Sequence, residues 1–386
     1  MEGRGEPWSN ILLVRLRLVG DVVFTTPLIS AIARRYPSAK LTYLVEPAAA
    51  PIVQHNPHLS EVIVAPHRRG AGRIVDDIRL ARELRRRKFD VALDLHGGPR
   101  SAWLTWASGA STRIGYDIKG RSWMYTNVVH RPRELRPRHS VENQWDLLPA
   151  FDEAFSDGPD KRVDRVLIPV AHEAAAAVAA KLASWSIPPA ARLILIHVSA
   201  GNPFRRWPEQ AFAELASSLV TAAPDRWVIF TGGPSDREAT QRVLAMARAL
   251  AEPPSRSDVA TATTSQAGTT SADRLIDGEA LSLAELRALC DRAALYIGGD
   301  SGPLHLASAS DIPIVGLFGP TLAERSAPWR PPEVPSVSVD AGVLPCRPCD
   351  QRVCAPGDFR CLTTIGASAV AEAAERLLSA RTGDSV

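Results

Sequence analysis

The sequence predicts an α/β protein made of two Rossmann-like domains, and three observations lead to that prediction. First, 386 residues are more than one ordinary hydrophobic core accommodates, so two domains are expected. Second, short apolar runs alternate with segments of helical length, which is the pattern of βαβ units and a parallel sheet. Third, a new series of the same kind begins after the pair Pro188 and Pro189.

The amino-terminal series is assigned to a domain over residues 1–170. Strands are predicted at 11–16, 41–45, 61–65 and 89–95. Helices are predicted at 21–35 and 74–87, where apolar residues recur at helical spacing.

The carboxyl-terminal series is assigned to a domain over residues 185–365, followed by a final helix and tail at 366–386. Its strands are predicted at 193–198, 227–233, 294–299 and 312–318, with helices from Pro208, at 235–250, at 282–291 and from Gly302. Residues 252–272 are rich in Ser, Thr, Ala and Pro and predict a surface insertion. Ligands of open α/β sheets bind beyond the carboxyl ends of the strands, so the loops after strands should carry the chemistry.

Charge is unevenly distributed along the chain. Residues 1–165 hold 26 lysines and arginines against 19 aspartates and glutamates, although the whole chain is only +3. A basic first half suits an anionic partner, and the absence of aromatic residues among these arginines favours phosphorylated lipid over nucleic acid. There is no secretory signal and no apolar run of about 20 residues, so a cytoplasmic protein is expected.

In the first half, the loop after the first strand contains Gly20 and Asp21. Gly20 would allow a tight turn. Asp21 is interpreted either as a helix N-cap or as a general base that takes a proton from an attacking hydroxyl. Asp94, at the end of the fourth strand, and His96, just after it, are assigned to the acceptor side, with Asp94 the rival candidate for the base.

Three loops of the second half are candidates for binding a nucleotide. In the last of them, Pro303 fits the first turn of a helix whose free N–H groups favour an anion such as pyrophosphate. The arginine of the first loop could neutralise a departing phosphate. The candidate residues are Ser199 and Arg205 in the loop after 193–198, Asp236 after 227–233, and Asp300, Ser301, Gly302, Pro303 and His305 after 294–299.

Four cysteines, Cys346, Cys349, Cys354 and Cys361, lie close together in sequence. Disulfides are not expected in a cytosolic chain, and four thiolates could hold a structural zinc. The alternative is a reduced cluster that packs before the last helix. No Asp-x-Asp motif lies in the candidate loops, so no catalytic metal and no required cofactor are expected.

Two long segments resemble glycosyltransferase family 9, the lipopolysaccharide heptosyltransferases. They are ILLVRLRLVGDVVFTTPLISAIARRYPSAKLTYLVEP at the start and GGDSGPLHLASASDIPIVGLFGPT near the end, with RRWPEQAFAEL and FTGGPSDRE in the expected order. The resemblance implies a GT-B fold, with two Rossmann-like domains facing across a cleft. It also implies inverting transfer of heptose from ADP-heptose to a lipid A–Kdo-type acceptor, by an enzyme peripheral to the cytoplasmic face of the inner membrane.

The same resemblance assigns roles to residues. Asp21 corresponds to the catalytic base, and Arg205 stands where the family often has a lysine near the donor phosphates. Asp300, Ser301, Gly302 and His305 match the donor-binding loop.

Three alternatives remain open at this point. A related GT-B transferase could use another nucleotide sugar, and a non-catalytic protein could retain the donor loop. A dinucleotide-dependent oxidoreductase is disfavoured, because the first strand is not followed by the glycines of a G-x-G-x-x-G motif.

Overall fold

The computed structural model describes residues 8–66, 68, 70–130, 138–198, 202–252, 269–278, 281–349 and 351–380. The chain divides into two compact units. The first consists of Met1–Pro169 with Trp329–Pro332, and the second of Val170–Pro328 with Glu333–Val386. Most of the insertion predicted at 252–272 lies outside the described residues.

The first unit contains a six-stranded parallel sheet with the strand order β3-β2-β1-β4-β5-β6. The strands are β1 (Asn10–Val14), β2 (Lys40–Val45), β3 (Glu61–Val64), β4 (Val91–Asp94), β5 (Thr112–Tyr116) and β6 (Asn127–Val129). The helices are α1 (Val19–Val23), α2 (Thr26–Arg35), α3 (Ala50–Val53), α4 (Ala71–Arg86), α5 (Pro99–Ala107) and α6 (Ser140–Trp145).

The second unit repeats this plan with a parallel sheet in the order β12-β11-β10-β7-β8-β9. Its strands are β7 (Arg192–His197), β8 (Arg226–Thr231), β9 (Leu275–Asp277), β10 (Leu295–Gly299), β11 (Ile314–Phe318) and β12 (Ser336–Asp340). Its helices are α7 (His172–Ser184), α8 (Glu209–Ala222), α9 (Arg237–Ala251), α10 (Leu283–Cys290), α11 (Gly302–Ala307), α12 (Ala323–Ser326), α13 (Arg360–Thr363) and α14 (Ala367–Ala380).

Each sheet has a topological switch point. The strands that directly follow the first strand of the sheet lie on one side of it, and the later strands lie on its other side. In the first unit this point lies between β1 and β4, and in the second between β7 and β10. The register pairs Val14 with Asp94, and His197 with Gly298. The loops that leave these strands therefore begin next to each other, at the place where open parallel sheets bind ligands.

The structure departs from the predicted elements: helices α3, α5 and α6 were not predicted, four strands were missed, and one predicted helix is divided. The strands β5, β6, β9 and β12 were not predicted, because none of them contains a continuous apolar run of strand length. In β12, for example, exposed and half-buried residues alternate, so there is no apolar run to detect. The helix predicted at 21–35 is two helices, since the Thr25 hydroxyl donates to the Val22 carbonyl at 2.7 Å and Pro27 cannot donate a backbone hydrogen bond.

The last helix is part of the second unit's core. Val370, Ala373 and Leu378 of α14 are buried in the same apolar cluster as β7 and β8. Arg192 donates to the carbonyl of Leu378 at 2.9 Å. The final helix therefore covers the sheet as an integral element.

The first unit includes four residues that come much later in the chain. Trp329 is fully buried, and its indole N–H donates to the carbonyl of Asp164 at 2.7 Å. Its ring lies 4.7 Å from the ring of His139, and the Lys161 ammonium lies 4.8 Å from the ring centroid. The segment Trp329–Pro332 thus supplies a large core side chain to a unit that otherwise ends at Pro169.

No helix in the described ranges of the chain is long and apolar enough to cross a bilayer.

Candidate active site

Asp21 lies at the switch point of the first unit, in the first turn of α1. Its carboxylate Oδ2 is 2.5 Å from Nη2 of Arg15, and its side chain is 32% exposed, whereas that of Arg15 is 9% exposed. The second terminal nitrogen of Arg15 donates to the carbonyl of Leu95 at 2.5 Å. Arg15 therefore fixes one carboxylate oxygen of Asp21 to the loop after β4, while the carboxylate as a whole still reaches solvent.

Two expectations for this loop are corrected. The N-cap of α1 is Leu18, and no side chain caps the helix, so Asp21 is not the N-cap residue. Gly20 lies inside the first turn of α1, so the tight turn expected at this glycine is not formed. What holds Asp21 in place is the ion pair with Arg15, together with a 3.4 Å hydrogen bond from the Gln144 amide to the Asp21 carbonyl.

Asp94 is fully buried at the end of β4. Its Oδ1 accepts from the backbone N–H groups of His96 and Gly97, both at 2.9 Å. Its Oδ2 accepts from the hydroxyls of Ser101 at 3.0 Å and Tyr125 at 2.6 Å. Burial raises the pKa of Asp94, although these four hydrogen bonds oppose the shift. Asp94 therefore orders the loop after β4, and its carboxylate is enclosed by groups of the protein.

The loop that Asp94 orders also holds His96. Gly97 has a φ of +69°, in the left-handed region that favours glycine, and a Cβ there would lie 2.8 Å from the terminal side-chain carbon of Ile118. Burial, followed by the nearby charges of Arg15 and Arg17, lowers the pKa of His96 to about 4. The His96 imidazole is accordingly neutral at physiological pH and lies within the electrostatic reach of Asp21.

At the switch point of the second unit, Asp300 is the centre of a polar cluster after β10. Asp300 is buried, and its Oδ2 accepts a short hydrogen bond from the Thr321 hydroxyl. Its Oδ1 lies 3.4 Å from Nε2 of the buried His305. Burial acts to raise the pKa of Asp300, but the hydrogen bond and charge of His305, together with Arg205, outweigh it and hold the pKa at about 2. Asp300 is therefore a fixed negative charge.

Arg205 approaches the same cluster from the loop after β7. Its Nη1 donates to the backbone carbonyl of Asp300 at 2.6 Å and lies 4.0 Å from the Asp300 Oδ2. Its Nε donates to the side chain of Gln351 at 3.1 Å. About a third of the Arg205 side chain remains exposed, so the guanidinium is held in place but can still reach an anion.

The remaining donor candidates are placed as follows. Ser301 occupies the N-cap position of α11, and Gly302 and Pro303 form its first turn, all half-buried. Asp236 is buried, and its Oδ2 accepts from the N–H of Gly233 at 3.0 Å, so this carboxylate shapes the turn after β8. Ser199 lies outside the described residues.

A buried histidine lies at the end of the central strand β7 of the second unit. His197, the last residue of β7, is 3.0 Å through Nδ1 from the Thr231 hydroxyl. Burial lowers the pKa of His197 to about 4, which leaves the ring neutral. A Cβ at Gly298 would lie 2.9 Å from the Tyr296 hydroxyl and 3.2 Å from the His197 Cβ, so β10 must carry glycine here.

Sequence reasoning missed Arg15, Thr321 and Gln351. Arg15 and Thr321 both follow the ends of central strands, so the rule that placed Asp21 and Asp300 could have found them. Gln351 lies in the Cys-rich segment, where the sequence gives no such signal.

The four cysteines of that segment are free thiols and half-buried. Across the described residues, no group of three or more His, Cys, Asp or Glu side chains is arranged to hold a metal ion. This arrangement gives no support to a structural zinc.

Comparisons with known proteins cover both units of the chain. The sequence profile of glycosyltransferase family 9 (heptosyltransferase) matches residues 78–356. The lipopolysaccharide heptosyltransferase 3 of Escherichia coli is 26% identical, and the match covers 96% of this chain and all of that protein. The structure of E. coli ADP-heptose lps heptosyltransferase II has a TM-score of 0.73 at 21% identity, covering 97% of this chain and 99% of the other.

A third similar structure, an E. coli heptosyltransferase with ADP-2-deoxy-2-fluoro heptose, has a TM-score of 0.64 at 19% identity. It covers 95% of this chain and 99% of that chain. These matches confirm the GT-B fold class that the sequence predicted.

Proposed function

Because the chain belongs to glycosyltransferase family 9, the heptosyltransferases, we propose that it transfers heptose from ADP-heptose to the inner core of a lipopolysaccharide precursor, with inversion at the transferred sugar. The observation that carries this proposal is the state of the two acidic residues beside β1. Asp94 is buried and fully hydrogen-bonded, whereas Asp21 keeps a carboxylate that reaches solvent. An inverting transfer needs one such carboxylate to take a proton from the acceptor.

In the proposed reaction, the acceptor hydroxyl oxygen forms a bond to the anomeric carbon of heptose. The bond between that carbon and the β-phosphate oxygen breaks, and its electron pair leaves with ADP. The proton of the hydroxyl passes to Asp21, whose Oδ2 stays paired with Arg15. Arg15 keeps the carboxylate oriented, and His96 adds no competing positive charge because its ring is neutral.

The second unit supplies the charge that a departing nucleoside diphosphate requires. Arg205 is a partly exposed cation at the switch point, and its geometry is set by the Asp300 carbonyl and by Gln351. An arginine forms two parallel hydrogen bonds with a phosphate, which a lysine cannot do. The first turn of α11, from Gly302, offers backbone N–H groups to the same phosphates. In this proposal the charge of the leaving group is balanced by these groups, and no catalytic metal is invoked.

The acceptor in this proposal is an anionic lipid A–Kdo-type glycolipid, and the enzyme works in peripheral contact with the cytoplasmic face of the inner membrane. The surplus of seven basic residues within residues 1–165 supports that partner.

Steady-state release of ADP, measured with ADP-heptose and a Kdo-bearing lipid A acceptor, tests the proposal. The same assay with UDP-hexoses distinguishes the related transferases. Turnover should require both ADP-heptose and the acceptor. Turnover with a UDP-hexose but not with ADP-heptose would contradict the donor assignment. Protection by ADP-heptose from thermal unfolding without any transfer would indicate a non-catalytic binding protein.

A further inference from the structure

Helix α4 presents an apolar surface to solvent along its first two turns. Ile74 is 64% exposed, Val75 is 48% exposed and Ile78 is 39% exposed. Their spacing of one and four residues places all three on the outer side of the helix, opposite Leu80 and Leu84, which pack into the core of the first unit. A contiguous group of this kind on an otherwise charged helix indicates an interaction surface.

The last two turns of the same outer side are basic. Arg82, Arg85 and Arg86 are exposed, and within the described residues none of them has a carboxylate at ion-pair distance. Arg82, Arg85 and Arg86 follow Ile78 by four, seven and eight residues. These spacings place the arginines on the same side of the helix as Ile78. The apolar and basic groups therefore form one continuous strip.

The carboxylates of α4 do not offset this charge on the outer side. Asp77 is turned inward and accepts from the buried guanidinium of Arg100 at 2.6 Å. Asp76 is buried as well, and Glu83 lies 3.0 Å from Arg87. The strip is thus electropositive.

Helix α5 extends the strip sideways with aromatic residues. Leu104 of α5 lies in the same core cluster as Leu80 and Leu84, so the two helices cover one side of the sheet. A Cβ at Gly109, just after α5, would lie 3.4 Å from the side chain of Arg85, which places the end of α5 beside the basic turns of α4. On α5, Trp106 forms an edge-to-face pair with Trp123 of the turn after β5; the ring centroids are 5.9 Å apart, and the residues are 44% and 64% exposed.

We infer that this strip, Ile74, Val75, Ile78, Arg82, Arg85, Arg86, Trp106 and Trp123, is the surface by which the enzyme docks on an anionic lipid bilayer. The inference rests on the proposed function, because a lipid-linked acceptor must be met at a membrane. Ile74, Val75 and Ile78 enter the acyl boundary, the arginines contact lipid phosphates, and the tryptophans lie at headgroup depth. This combination of residues is that of an interfacial amphipathic helix.

Vesicle co-sedimentation of the full-length protein tests the surface, with phosphatidylcholine vesicles that contain or lack phosphatidylglycerol. Wild-type protein should bind the anionic vesicles, and binding should weaken as salt is added. The variant Ile74→Ser/Val75→Ser/Ile78→Ser should bind roughly tenfold less tightly or worse. Arg82→Gln/Arg86→Gln should lose about 30-fold, since each arginine near an anionic surface strengthens binding about fivefold.

Two control variants remove the same number of apolar or charged side chains from the surface of the second unit. Leu250→Ser/Val343→Ser/Val353→Ser removes three exposed apolar side chains, and Arg292→Gln/Arg376→Gln removes two exposed charges, all in the second unit. Both should bind vesicles as the wild type does, and thermal unfolding should show that every variant is folded. Equal binding by the α4 variants and the controls would overturn the inference. So would a wild-type protein that ignores vesicles but self-associates through the strip, which sedimentation would reveal.

Turnover on an acceptor stripped of its acyl chains separates this inference from the proposed function. Wild-type protein and the Ile74/Val75/Ile78 variant should turn over that water-soluble acceptor equally, because none of these three residues is among the candidate catalytic or binding residues. If neither protein shows turnover while the vesicle results hold, the proposed function fails and the membrane surface stands.

Discussion

The replacement Asp21→Asn removes the proposed base while keeping the shape of the side chain. General base catalysis contributes about 10²–10⁴-fold, so turnover should fall by that factor, equivalent to about 3–5 kcal/mol of barrier. The structure adds a second, smaller effect on stability. Arg15 is 9% exposed, and it would lose its charged partner at 2.5 Å.

That stability effect can be estimated from the exposure of the pair. Removing one partner of a fully buried ion pair costs about 3–5 kcal/mol, but Asp21 is 32% exposed and an asparagine oxygen can still accept from Arg15. We therefore expect a loss of about 1–2 kcal/mol in the free energy of unfolding. ADP affinity should be unchanged, because the candidate donor residues belong to the second unit.

The assay is steady-state ADP release, run beside urea denaturation and ADP calorimetry. The matched control is Asp152→Asn, because Asp152 accepts from Arg35 at 2.9 Å and from Tyr36 at 2.5 Å, away from the strand ends. The control should lose comparable stability and keep its turnover. Near-normal turnover for Asp21→Asn would refute the assignment of the base, and equal losses of turnover in both variants would show that instability alone explains the effect.

Three further predictions concern the second unit. Gly302→Val should weaken ADP binding at least tenfold in calorimetry with the fold intact, since a branched side chain would crowd the first turn of α11; unchanged affinity would remove this loop from the donor site. Asp300 has a pKa of about 2 in the folded protein, against an ordinary aspartate value of 3.8, so its contribution of about 2 kcal/mol is present above pH 4 and is lost as the pH falls toward 2. Urea denaturation from pH 5 to 2.5 should show a shallower loss for Asp300→Asn than for the wild type, and parallel curves would contradict the shift. ADP release should continue after treatment with EDTA, because Arg205 is expected to balance the charge of the leaving group; loss of turnover that magnesium restores would contradict a metal-independent transfer.

The sequence predicted the central part of each sheet well, because those strands are continuous apolar runs. The loops after them were located for the same reason, and Asp21, Arg205, Asp300 and His305 all lie at switch points. The edge strand β3 was predicted from the run EVIVA, whereas β12, also at an edge, exposes every second residue and carries no apolar run. An apolar run in the sequence reflects buried positions, and a strand with one exposed side has fewer of them.

The partners of the site residues could not be predicted from the sequence. The pairing of Arg15 with Asp21 and the enclosure of Asp94 by Tyr125 depend on contacts between distant parts of the chain. Two acidic residues that looked alike in sequence therefore differ in the structure, because only one of them retains access to solvent. Gln351 shows the same limit, since its contact with Arg205 spans 146 residues.

The late segment Trp329–Pro332 has a consequence for the order of events during synthesis. Pro169, where the first unit otherwise ends, leaves the ribosome 160 residues before Trp329. At about 5–20 residues per second, the interval is roughly 8–32 seconds. During this interval the nascent first unit lacks the Trp329 indole, which the finished protein buries against His139. Removal of a buried tryptophan side chain typically lowers the free energy of unfolding by about 3–5 kcal/mol. A fragment that stops at Pro169 would remain in that incomplete condition, so separating the units requires residues 329–332 to be supplied with the first.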